Sequence, residues 1–151
     1  TLTTTQRTNL TNKSGNTYES ANGVNYSFEG TTADGDFVDI TRGIDWMVAQ
    51  IRLGIFPAQL YNEKIAFDDD GIGQIKAEVE GVATRAVSKK IALGADPSDP
   101  SYTGPVVTAP RRSQVSNANV AARHLPDVKC VLKMAGAVHK VTVTLNVSSA
   151  A

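Results

Sequence analysis

The residues of this 151-residue chain best suited to chemistry are few: one acidic run, two histidines, one cysteine and a set of Lys and Arg in the second half. In "FDDDGIGQ", placing Asp68 and Asp70 at positions 3 and 5 of a calcium loop seats Gly71 at the turn. Position 1 is then Ala66 and the bidentate position 12 is Ala77, neither of which can ligate a cation. The run reads instead as a helix cap, with negative charge at the positive end of the helix dipole. "GIGQ" lacks the remaining glycine, the preceding strand and the Lys-Ser/Thr of a phosphate-binding loop. His124 and His139 are too few for a zinc site, and Cys130 falls on the apolar face of a strand pattern as a small hydrophobe. No enzymatic activity, cofactor, metal or small-molecule ligand is expected.

The basic residues pose a different question. Residues 1 to 80 hold 6 Lys/Arg against 12 Asp/Glu, whereas residues 81 to 151 hold 9 against 3, so a net charge of zero conceals two opposite halves. Neutralisation within one fold, a nucleic-acid face and a head-to-tail contact between copies all fit this split. Nucleic acid is disfavoured because the only aromatic residue after Phe67 is Tyr102, which leaves no stacking platform among the cations. Arg111 and Arg112 are candidates for inter-subunit charge. Arg85, Lys89 and Lys90 lie on the polar side of an expected helix, where a solvated face is the simpler reading and a surface between copies the alternative.

Composition bounds the scaffold that must position these groups. With 41% hydrophobic and 20% charged residues, the chain suits one globular domain. Its apolar runs are too short to span a membrane, no secretory leader is visible, and the single cysteine rules out an internal disulfide. The chain opens on Thr1 rather than Met, so a longer parent is expected.

The polar stretch 1–22 is expected to be an extended lead-in. Val24, Tyr26 and Phe28 alternate as a strand, and the Asp34-Gly35 turn is expected to return the chain so that Val24 to Ile40 forms a hairpin. A helix starting at Asp39 or Thr41 carries Ile44, Met47, Val48, Ile51 and Ile55, with a kink or restart before Pro57 and an end near Asn62. A second helix carries Ile72, Ile75, Val79, Val82 and Ala86 and is expected to stop near Leu93, capped by Gly94. The two helices should pack antiparallel. A proline-rich loop follows, with a short edge strand within 102–108, then a short helix capped by Ser116.

Two strands close the chain. Val128, Cys130, Leu132 and Met134 share one face of the first, and His139, Val141, Val143, Leu145 and Val147 share one face of the second. "AGA" between them suits a tight hairpin. The fold class is therefore α+β, with two main helices on one face of a largely antiparallel or mixed sheet and extended terminal segments. The domain is expected over residues 23–147, with 148–151 as a tail.

The runs "ADGDFVDITRGIDW" and "RHLPDVKCVLKMAGAVHKVTV", with the helix opening "DDDGIGQIKAEVEGV", resemble the C-terminal part of contractile tail sheath proteins of bacteriophages. The similarity spans about residues 15–147, the later portion of a typical sheath subunit. Pro57 departs from a family pattern in which that helix runs on unbroken. The resemblance implies a structural subunit located in the virion tail and assembled in the host bacterial cytoplasm. Implied partners are identical subunits in a helical array, the tail tube, the baseplate and the tail terminator, without direct nucleic-acid contact. Another tail component, tube-associated or in the baseplate, is the alternative. In the family, terminal arms add strands to neighbouring subunits while the array contracts and drives the tube through the host envelope. The resemblance thereby assigns Val141, Val143, Leu145 and Val147 to a subunit interface and makes Arg85, Lys89, Lys90, Arg111 and Arg112 candidates for tube-facing or inter-subunit charges. Ala135 to His139 is expected to turn within the domain, and the portion toward Val147 to complete, or be completed by, a neighbour.

Overall fold

Two antiparallel helices form the backbone of the computed structural model, which describes residues 2–61, 64–139 and 141–144. In chain order the elements are α1 (Thr4–Thr11), β1 (Thr17–Ala21), β2 (Val24–Phe28), α2 (Val38–Tyr61), α3 (Asp69–Ser88), β3 (Val106–Thr108), a 3-10 turn (Arg112–Gln114), α4 (Asn117–Ala121) and β4 (Lys129–Val131). The strands form two separate antiparallel pairs, β1 with β2 and β3 with β4, so the architecture is α+β.

The N-terminal segment is more ordered than its composition suggests. Thr3 and Gln6 close a capping box on α1, each side chain bonding the other's backbone N–H. The strand partner of β2 lies before it, not after: β1 and β2 meet at Ala21↔Val24 around Asn22-Gly23, both at positive φ (51° and 77°). That is the backbone a two-residue type I′ loop requires, and Asn-Gly is the pair that adopts it at least cost. The Asp34-Gly35 turn forms, but only a single Thr31↔Phe37 bridge follows before the chain enters α2.

Helix α2 stays helical through Pro57. Helix α3 begins at the N-cap Asp68, whose carboxylate accepts from the Gly71 N–H at 2.8 Å, so the acidic run is the cap that its sequence indicated. Gly71 is needed there because a Cβ would collide with the Ala66 carbonyl. The C-terminus falls earlier than expected, at Ser88 rather than near Leu93. Lys90 takes the left-handed position (φ 61°) while its N–H bonds the Val87 carbonyl and the Ile91 N–H bonds the Ala86 carbonyl. Those two bonds satisfy the helix's last acceptors, with Lys90 in the left-handed position four residues before Gly94.

Met47 of α2 packs with Ala86 and Ala92, flanked by Trp46, Val87, Ile91 and Leu132. Further along, Gly54 of α2 abuts Glu78 of α3, so the helices run in opposite directions. The β3–β4 pair lies on α3, with Val107 buried against it. Ser116 caps α4 as anticipated, its hydroxyl accepting from the Asn119 N–H.

One sequence expectation fails in an informative way. The stretches on either side of "AGA" do not form a hairpin in the described residues: β4 pairs with β3, and the described residues between Val138 and Thr144 belong to no strand. The physical reason is a set of competing partners for residues 133–139, described next.

Candidate assembly interface

After β4 the chain forms a strap across the helix pair. The Leu93 N–H donates to the Lys133 carbonyl and the Ala135 N–H to the Ile91 carbonyl, both at 2.9 Å, around an antiparallel Ala92↔Met134 bridge. The Met134 side chain then settles over Gly43 of α2, where a Cβ would stand 2.7 Å from the Met134 methyl group and 2.9 Å from the Ile91 side chain. Ala137 N–H donates to the Asp39 carboxylate at 3.0 Å, and the His139 ring meets Phe37 edge to face, centroids 4.8 Å apart. Residues 135–139 thus belong to this domain.

Among the described residues, 141–144 make no hydrogen bond, ion pair or ring contact. Val138, Val141 and Val143 are 81%, 76% and 83% exposed, which is unusual for three β-branched apolar side chains in one short segment. Leu145 and Val147, the other expected interface residues, lie outside the described residues.

A complementary vacancy lies at the other end of the helix pair. An open groove of about 580 Å³ has Ile51 and Ile55 of α2 and Ile75 and Val79 of α3 along its walls, with Leu125, Val128 and Cys130 from the β4 side. Arg123 and His124 stand at its rim. Packed helices lie about 8–10 Å apart and strands about 4.8 Å apart, so a layer of two helices is covered by roughly four strands. The β3–β4 sheet has two and lies on α3, and β4 has β3 as its strand partner among the described residues. Among the described residues no strand pairs with the other edge of β4, and the flank of α2 stays open along the groove. Burial pushes the Cys130 thiol above its ordinary pKa, as suits a half-buried side chain without nucleophilic character.

The candidate charges do not form one surface. Arg85, Lys89 and Lys90 are exposed at the C-terminal end of α3, and the Lys89 ammonium lies 5.7 Å from the centre of the Trp46 ring. Arg111 and Arg112 sit at the opposite end, about 25–30 Å away for a helix of this length. There the Arg112 N–H bonds Asp69 at 2.6 Å and its guanidinium covers Phe67, whereas the Arg111 side chain is exposed.

A polar clasp that the sequence reading overlooked holds the strap's root. Lys133 Nζ reaches Asp96 at 2.6 Å and Asp99 at 2.8 Å, and each carboxylate also accepts from the serine two residues on. The Tyr102 hydroxyl accepts from the Lys133 N–H and donates to the Leu93 carbonyl, both at 3.0 Å. The Lys133 contact, followed by the serine bonds, lowers both carboxyls below their ordinary 3.8, Asp96 to about 2. The repeated Asp-Pro-Ser of "DPSDPSY" was the available signal.

Among the described residues no group of three or more His, Cys, Asp or Glu could hold a metal ion, and no helix is long and apolar enough to cross a membrane. Residues 38–147 match the family described as E217 tail sheath protein gp31-like, C-terminal domain. The chain belongs to this tail sheath family. The match starts at the first residue of α2 and takes in the strap, the groove and the exposed arm, so the features above are those of the sheath domain itself. As a sheath-family domain it is a structural part of a bacteriophage tail. None of the curated proteins matches the chain.

Proposed function

We propose that the chain is a sheath subunit that assembles with identical copies into a helical array around the tail tube. In this reading it acts mechanically rather than catalytically, meeting the baseplate and tail terminator at the array's ends. Contraction of the array drives the tube through the host envelope for genome delivery, and assembly takes place in the host cytoplasm.

The observation that carries the reading is the pairing of an exposed, alternating arm with a vacancy of matching chemistry. The arm displays Val141 and Val143, and its described residues have no strand partner among the described residues of the chain. The β4 edge opens onto an apolar groove. Strand addition would satisfy backbone donors and acceptors on both sides, and it joins subunits through the backbone, so they can stay linked while domains rotate.

Electron micrographs of the purified full-length protein provide the test. Rings or helical tubes are the expected result, and a persistently monomeric chain at high concentration overturns the proposal.

A further inference from the structure

The chain carries the ingredients of a cis hairpin that its described residues do not form. Val128, Cys130, Leu132 and Met134 alternate before "AGA", and Val141 and Val143 alternate after it. The groove beside β4 would accept the second strand. A reversal with an even-numbered loop would set Val141 or Val143 opposite Cys130, valines inward. Nothing in the strand pattern forbids this closure.

The strap does oppose it. The Ala137 N–H is held by the Asp39 carboxylate at 3.0 Å, and His139 packs on Phe37. Both partners sit at the N-terminal end of α2, about 18 Å along the helix from Ile51 in the groove. The Asp39 bond fixes the turn at this end of α2, and the His139–Phe37 contact then carries the chain past the helix end and away from its own groove, so closure in cis requires that contact to break.

We propose that Asp39 and Phe37 form a latch that keeps the arm out of its own acceptor groove and so reserves that groove for the arm of a second copy. The proposal rests on the sheath reading above and adds to it a choice between two states of one segment. Arm and edge are the same in both, so cis closure would compete with assembly, as in domain swapping. Asp39 is a positioning residue: it touches the arm's root, not the partner.

Disulfide trapping tests this, Cys130 being the single cysteine of the 151-residue sequence. Val141→Cys and Val143→Cys cover the two inward registers, and gel mobility separates bonds within a chain from bonds between chains. Asp39→Ala should raise the ratio of intrachain to interchain product by roughly fivefold, the change expected from losing one hydrogen bond. Asp39→Asn keeps an oxygen able to accept from Ala137 and should retain the unsubstituted ratio, which separates the hydrogen bond from the charge at the start of α2. Phe37→Ala should act like Asp39→Ala. Circular dichroism reports whether α2 persists in each variant. An unchanged ratio in both Asp39→Ala and Phe37→Ala with helicity intact overturns the latch. So does cis closure already dominant with Asp39 and Phe37 in place. Failure of the unsubstituted chain to form rings or tubes overturns the sheath reading instead, and the intrachain yield of the monomer still reports on the latch.

Discussion

The backbone N–H of Ala137 and the carboxylate of Asp39, 98 positions apart in the chain, meet at 3.0 Å and fix where the C-terminal arm leaves the domain. Ala137→Pro removes this donor without touching the helix. A loss of about 1 kcal/mol is expected, the usual net worth of such a bond. Urea denaturation measures it; a loss several times larger would mean that the strap has other backbone bonds through this residue.

Residues 141–144, the described part of the arm beyond His139, are exposed and add little to the fold. Thr142 is exposed and belongs to no strand. Thr142→Pro should therefore shift monomer stability by no more than about 0.5 kcal/mol, as for other isolated surface changes. In an added strand the same change removes a ladder bond. Loss of rings and tubes with an unchanged melting temperature is expected. A parallel loss of both would place the segment inside its own domain's sheet.

Gly43 marks the tightest point under the strap. A Cβ there would stand 2.7 Å from the Met134 methyl group and 2.9 Å from Ile91. Met134 is flexible enough to give way in part, so Gly43→Ala should cost about 1 to 3 kcal/mol rather than unfold the chain. Gly71→Ala should cost more, because the obstacle is the Ala66 carbonyl on the backbone. Denaturation curves of the two variants, compared directly, check the order.

How much of this could be read from the sequence depended on whether a signal was local. The cap at Asp68, the apolar stripe of α3, the antiparallel helix pair and the Ser116 cap follow from patterns within a few residues, and they appear in the structure. The α3 terminus was misjudged because Lys90 adopts a left-handed conformation normally left to glycine. The β1–β2 hairpin was missed because β1 is polar, although Asn22-Gly23 announced the turn. For the interface, alternation in "VHKVTVTLNV" indicates a strand, whereas its described residues belong to none, and alternation names no partner. Long-range bonds such as Ala137 to Asp39 decide that, and they leave no periodic trace. The groove was likewise hidden, since it is a strand deficit that appears only once the sheet's width is set against the two helices.

Charge remains the second candidate basis for assembly, and its two halves need different probes. Arg112 braces the start of α3 through Asp69 and Phe67, so reversing it would disturb the fold as well as any contact. Arg111 has an exposed side chain and is the cleaner probe. Arg111→Glu should leave the melting temperature unchanged, reduce assembly at low salt, and lose its effect as salt screens the contact. Assembly insensitive both to salt and to this substitution would remove the head-to-tail electrostatic argument.

The clasp at Lys133 gives a pH dependence whose sign is set by its partners. Asp96 and Asp99 are held below the ordinary 3.8 in the folded chain, so their contribution is fully present above that value and is lost as pH falls toward about 2. Lys133 is raised above its ordinary 10.5, so its contribution persists below that value and fades as pH rises past it. The plateau between about pH 4 and 10 should be flat with respect to this cluster. Lys133→Met should weaken the acid limb without abolishing it, because Ser98 and Ser101 still donate to the two carboxylates. These groups are solvent-accessible, so added salt should reduce the difference. Carboxyl titration by NMR would check it directly: Asp96 should titrate at higher pH in Lys133→Met, and an unmoved Asp96 would show that the serines rather than the lysine hold it down.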